Sequence, residues 1–144
     1  MKRFFCLTIL SFLTTTIFAQ ADKILGTWLT EDKEAHIKIY KSNDLYYGKI
    51  VWLKEPNNPK TETAWLDEQN KDESKRKLPL LGANMLWDFM HRNNEYVKGS
   101  VYDSRNGAIY SGKLWLENPN TLKMRGYWGF FYSTETWTKL NNEK

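Results

Sequence analysis

The chain has 144 residues, 21 of them Lys or Arg against 17 Asp or Glu, for a net charge of +4. That length suits one domain with one core, and a charge so near balance gives no footprint for nucleic acid. Cys6 is the only cysteine, which excludes an internal disulfide framework and a zinc–thiolate site.

The N-terminus reads as a secretory leader. Lys2 and Arg3 precede the apolar run "FFCLTILSFLTTTIF", and "AQAD" follows with the small residues that signal peptidases favour. A cut after Ala19 is expected, giving a leader over 1–19, a single mature domain over 20–144 and a periplasmic or secreted location. No later apolar run is long enough to span a bilayer, so no transmembrane segment is expected after cleavage. Cys6 leaves with the leader, and the mature net charge falls to +2 because Lys2 and Arg3 leave too. All seven Trp and all eight Tyr remain.

Strand follows strand from there. In chain order the candidates are 26–32, 35–41, 45–53, 84–91, 95–102, 108–116, 121–128 and 133–140. Between them "KSND", "RNN", "DSRNG" and "ENPN" carry the Asn, Asp, Gly and Pro of tight reversals. Short links imply antiparallel neighbours. No segment holds a helical period, so the protein is expected to be all-β, with one long loop over about 54–83.

Four strands share one device. Taken two residues at a time, Tyr46–Gly48–Ile50–Trp52, Val97–Gly99–Val101, Tyr110–Gly112–Leu114–Leu116 and Met124–Gly126–Trp128 each set a glycine on an apolar face. The opposite faces carry Lys49, Lys98, Ser111, Lys113 and Arg125. Inward glycines let strands coil sharply and close a sheet into a barrel. The same missing side chains could instead leave room for a ligand, and an eight-stranded barrel is just wide enough for either use. Tyr46, Trp52, Tyr110, Met124 and Trp128 are the candidate lining residues.

"GTW" at Gly26–Trp28 resembles the G-x-W opening of calycin-type barrels, the lipocalins and their relatives. The resemblance implies that Trp28 closes one barrel end and that a late-strand basic residue, here Arg125, packs across it. More specifically, "GTWLTED", "HIKIYK", "LYYGKIVWL", "KLPLLG", "YDSRNGAIYSGKL", "LKMRGYWG" and "TWTKL" resemble, in order, the secreted bacterial proteins of domain-of-unknown-function family 2147. That resemblance implies a signal peptide, a calycin-like barrel and no established activity. The chain departs from the family pattern in the middle: around Asp67 and Asn70 that pattern usually continues with prolines, whereas this chain has "NKDESKRKLP", and Leu78 stands where a basic residue is expected before Pro79.

The 54–83 loop is polar apart from Ala64–Trp65–Leu66, which makes Trp65 a candidate for a lid over the barrel mouth or for a cap on exposed core. The oxygens of Asp67, Asn70, Asp72 and Ser74 miss the calcium-loop spacing. His36 and His91 fall in no metal-ligand or hydrolase motif, and the expectation is no catalytic residue, no metal and no cofactor. Trp115, with Lys98 and Arg125, could form an outer aromatic–basic patch. Two functional classes follow. One is a monomeric, non-enzymatic envelope barrel holding a small apolar or amphipathic ligand. The other is an interaction module that binds glycan, lipid headgroup or protein through its outer face or long loop.

Overall fold

The computed structural model describes residues 20–141; the expected leader, its cleavage point and Cys6 lie outside them. A short 3-10 helix, Asp22–Ile24, leads into eight strands: β1 (Gly26–Leu29), β2 (Ala35–Ser42), β3 (Leu45–Leu53), β4 (Asn84–Arg92), β5 (Glu95–Asp103), β6 (Ala108–Asn118), β7 (Thr121–Trp128) and β8 (Phe131–Lys139). They form a closed antiparallel barrel in sequence order. Closure is made where Trp28 pairs with Lys139 and Leu29 with Thr138, which removes the free edges an open sheet would expose. No helix among the described residues is long and apolar enough to cross a membrane.

Alternation gives most of the inward face correctly and fails at three bulges. In β5, Lys98 takes a positive φ of 61°, and the pairing with β6 shifts register between Tyr96 and Gly99. Tyr96 and Gly99, three residues apart, therefore both face the core, and Tyr96 takes the inward place expected of Val97. Asp88, with φ 57°, does the same for Leu86 and Phe89 in β4. In β3, Ile50 pairs with Ile37 but Trp52 pairs with His36, leaving Val51 as the extra residue. Trp52 is thereby turned out of the barrel, where its ring stacks on His36 at 4.1 Å; it is 40% exposed and lines no interior.

The glycines of Gly48, Gly99 and Gly112 do face inward, and their space is already taken. A Cβ on Gly48 would meet Leu86 Cδ1 at 2.7 Å, and one on Gly112 would meet Val101 Cγ2 at 2.6 Å and Phe89 Cζ at 2.7 Å. One on Gly99 would run into the Phe89 ring carbons. Phe89, fully buried, thus lies across the paired glycines of β5 and β6. Gly126 differs, since its nearest neighbour there would be Tyr110 Cβ at an ordinary 3.7 Å.

The N-terminal 3-10 helix plugs one end of the barrel. Ile24 is fully buried, and Trp28 donates its indole Nε1–H to the Ile24 carbonyl at 2.8 Å. Tyr96 donates to the Ala21 carbonyl at 2.6 Å, Tyr46 donates to Asp22 Oδ1 at 2.8 Å, and Lys41 reaches the same carboxylate at 3.2 Å. The Tyr46 hydroxyl, with Lys41, holds the Asp22 carboxyl below its usual range, while burial pushes the Tyr96 phenol up to about 12. Tyr46, expected to line the interior, is part of this plug and meets Tyr96 edge-on at 5.0 Å.

The cation over Trp28 is not Arg125. Lys139 Nζ stands 5.2 Å from the Trp28 ring and donates to the Lys23 carbonyl at 3.1 Å. It comes from the strand that pairs with β1, whereas Arg125 sits on the outer face, 4.2 Å from the Tyr132 ring and 5.1 Å from Trp115. Lys139→Ala is therefore expected to lower unfolding free energy by about 1 kcal/mol and to move the Trp28 indole N–H resonance. Arg125→Ala should leave that resonance in place; a shift there with none in Lys139→Ala would return the role to Arg125.

Candidate functional site

Strand connections alternate between the two ends, so the loops after β1, β3, β5 and β7 meet opposite the plug. There the barrel interior is hollow, with a cavity of about 420 Å³. Its walls are Ile37, Ile50, Leu86, Val101, Met124 and Trp137, all buried core residues. Gly126 leaves part of the space empty, and Tyr110 and Trp128, rings 5.8 Å apart, stand toward the mouth. Of the expected lining residues, Tyr110, Met124 and Trp128 meet here, while Tyr46 and Trp52 do not.

A polar collar surrounds the apolar walls. Ser133, Glu135 and Trp137 share the inward face of β8, and Glu135 Oε2 accepts from the Trp137 indole N–H at 2.9 Å. Asp32 and Glu34 come from the β1–β2 loop, and Asp103 and Arg105 from the end of β5 and the turn after it. Arg105 grips Asp103 with two contacts, Nε to Oδ1 at 2.9 Å and Nη2 to Oδ2 at 3.0 Å. The hydrogen bond from Arg105 holds the Asp103 carboxyl below its usual range, and Asp103 in turn raises the guanidinium. Glu135 and Asp32 add to that raising, so the one cation in the collar lies among carboxylates.

The sequence reading passed over this collar. Glu135 was legible, because it lies two residues from Trp137 on a strand whose alternation points both inward. Asp32, Asp103 and Arg105 carried no such signal: they sit in turns, where charge is ordinary, and only the closing of the barrel gathers them.

The long loop is tied down beside the mouth. Asp67 is buried, and its carboxylate accepts from the Tyr102 hydroxyl through Oδ1 and from Asn70 Nδ2 at 2.7 Å through Oδ2. Burial and the Asp67 charge push the Tyr102 phenol up. Short bridges join Asn57 to Ala64 and Leu66 to Pro79. Asp72 caps the 3-10 turn Glu73–Lys75, accepting from the Ser74 N–H. Trp65 lines a second hollow outside the first, with Leu66, Gln69 and Glu55; Glu34, Leu53, Leu80, Ser104 and Arg105 border both. Trp65 therefore lines this second hollow and is not among the residues that line the first.

Neither histidine reaches the cavity. His36 is stacked under Trp52 on the outer wall, and His91 packs on Tyr96 near the plug; burial lowers the pKa of both. No group of three or more His, Asp or Glu able to hold a metal comes together among the described residues. The outer patch exists in part: Lys113 and Arg125 each stand 5.1 Å from the Trp115 ring.

The architecture has a solved counterpart. A Helicobacter pylori protein described as belonging to the lipocalin family aligns with a TM-score of 0.71 over 83% of this chain and 84% of its own, at 18% identity. At that identity the likeness concerns the fold. No curated protein sequence matches the chain. The model of the family described as "Uncharacterized protein conserved in bacteria (DUF2147)" matches residues 26–139, which takes in all eight strands and the long loop, and the chain belongs to that family.

Proposed function

We propose that the protein is an exported, non-enzymatic barrel of the bacterial envelope that holds one small apolar or amphipathic molecule. The observation that carries this reading is the cavity of about 420 Å³, within the roughly 300–1,000 Å³ range of small-molecule sites. An apolar body rests on Ile37, Ile50, Leu86, Val101, Met124 and Trp137, while its polar end meets Glu135, Ser133 and the loop carboxylates. Such division of labour is that of a binding site, with burial supplying affinity and a few polar groups supplying orientation. The lipocalin-like fold of the Helicobacter pylori protein supports it. Export is supported by the leader pattern of Lys2 and Arg3, the apolar run after them and the small-residue exit at Ala19.

Native mass spectrometry of protein extracted from its own envelope tests both parts. The expected species starts at Gln20 and carries an added small mass that organic solvent removes. A chain that retains Met1 would overturn the export. For the cavity, an environment-sensitive apolar dye should bind one-to-one and be displaced by that extracted molecule. Failure of the dye to bind the delipidated protein would overturn the binding reading.

A further inference from the structure

The β7–β8 hairpin carries a feature of which the cavity uses only Trp128. Five of the six residues from Tyr127 to Tyr132 are aromatic, and the sixth, Gly129, makes the turn at φ 60°. Phe130 is fully exposed, Phe131 is 68% exposed and Tyr132 57%. Ser111 pairs with Tyr127, which sets Ile109, itself 59% exposed, beside the turn on the neighbouring strand. Single exposed apolar residues are ordinary on a soluble surface, whereas a contiguous group is not.

We infer that this hairpin tip inserts into the interfacial layer of an anionic lipid bilayer. Three observations select a membrane over a protein partner or a second copy. The cluster sits on a turn whose Phe130 side chain is fully exposed, a projecting shape that suits penetration into lipid better than docking against a surface. The two phenylalanines are flanked by Trp128, Tyr127 and Tyr132, whose rings have an apolar body and a polar edge and favour the headgroup level. Directly behind them stand cations. Arg125 lies over Tyr132, its Nε bonded to Thr134 Oγ1 at 2.7 Å, and has no carboxylate within ion-pair distance among the described residues. Lys113 follows on the paired strand, with Glu95 Oε1 at 3.0 Å. Apolar tip first and cations second is the order of acyl chains and anionic headgroups.

Trp128 belongs both to this tip and to the cavity mouth. Docking therefore brings the mouth to the bilayer surface, where an apolar molecule can pass between lipid and barrel without crossing water. The docking itself does not depend on the cavity being loaded.

The test is flotation of the mature chain with vesicles of phosphatidylcholine alone and of phosphatidylcholine and phosphatidylglycerol in equal parts. Binding to the mixed vesicles is expected to fall at least about tenfold in Phe130→Ser/Phe131→Ser, since two exposed rings are lost from lipid contact. Both side chains are exposed, so the thermal midpoint should be unchanged. Lys113→Gln/Arg125→Gln should lower binding to the mixed vesicles and leave binding to phosphatidylcholine alone as it was. No flotation with either vesicle, or equal flotation of the serine variant, overturns the inference. So does a vesicle-free sedimentation experiment in which the parent is a dimer and the serine variant a monomer, because the tip's occupant would then be a second copy.

Discussion

Gly99→Ala is expected to cost the barrel about 3 kcal/mol or more, a large part of what a domain of this size has. The added methyl would fall among Cγ and both Cδ atoms of Phe89, whose ring is fully buried and already in contact with the space over Gly112. The ring cannot simply rotate away. It is held between β5 and β6 on one side and the rest of the core on the other, and close-packed interiors give by tenths of an ångström. Urea unfolding reads the effect. A double-mutant cycle identifies its cause: in a Phe89→Ala background, itself costing about 3–5 kcal/mol, the Gly99→Ala change should cost far less than in the parent. Since Phe89→Ala alone strains stability, the cycle is best run with an osmolyte such as sucrose in every sample. A Gly99→Ala protein as stable as the parent would mean that Phe89 does not occupy that space.

The glycines show where the sequence could and could not be read. That Gly48, Gly99, Gly112 and Gly126 face the core follows from the alternation of their own strands, a local property. That Phe89 fills two of those spaces is not local: the ring arrives from β4, and no periodicity in β5 or β6 names it. Closure of the cylinder was legible in the count of short-linked strands and in "GTW", but the residue over Trp28 was not, because that depends on the register of β1 against β8. Trp52 and Val97 were misplaced for a single reason. A bulge changes the inward set from every second residue to three apart, and Lys98 and Asp88 adopt positive φ where no glycine or asparagine marks the spot. Apart from Glu135, the collar was harder still, since Asp32, Glu34, Asp103 and Arg105 come from two separate connections and gain their meaning only from proximity. The exposed hairpin was in plain view as "YWGFFY", yet the expected strands stop at 128 and resume at 133, so Phe130, Phe131 and Tyr132 fell between them and their exposure depended on where β8 begins.

Gly126 provides the complementary experiment, because here alone of the four the missing side chain faces vacant space. Gly126→Leu should leave folding stability unchanged, or raise it by about 0.5–1 kcal/mol, since a strand glycine loses more backbone freedom on folding than a residue with a side chain. Its φ is ordinary for an L residue and its nearest neighbour, Tyr110 Cβ, lies at contact distance rather than inside it. The leucine would then project among Tyr110, Met124 and Trp128, which line the cavity with Gly126. An apolar dye that binds the parent inside the barrel should lose at least about tenfold in affinity, the equivalent of about 1.4 kcal/mol. The Phe130→Ser/Phe131→Ser protein serves as the control for dye held on the exposed hairpin, and it should bind as the parent does. If instead the serine variant loses the dye and Gly126→Leu keeps it, the dye sits on the outer surface and the interior is not the binding site. Should Gly126→Leu prove as destabilising as Gly99→Ala, the space beside Gly126 is part of the packed core. The leucine adds more bulk than the alanine, on a strand separated from β5 only by β6, so a smaller loss of stability in Gly126→Leu than in Gly99→Ala reads directly which part of the interior is filled and which is free to hold a ligand.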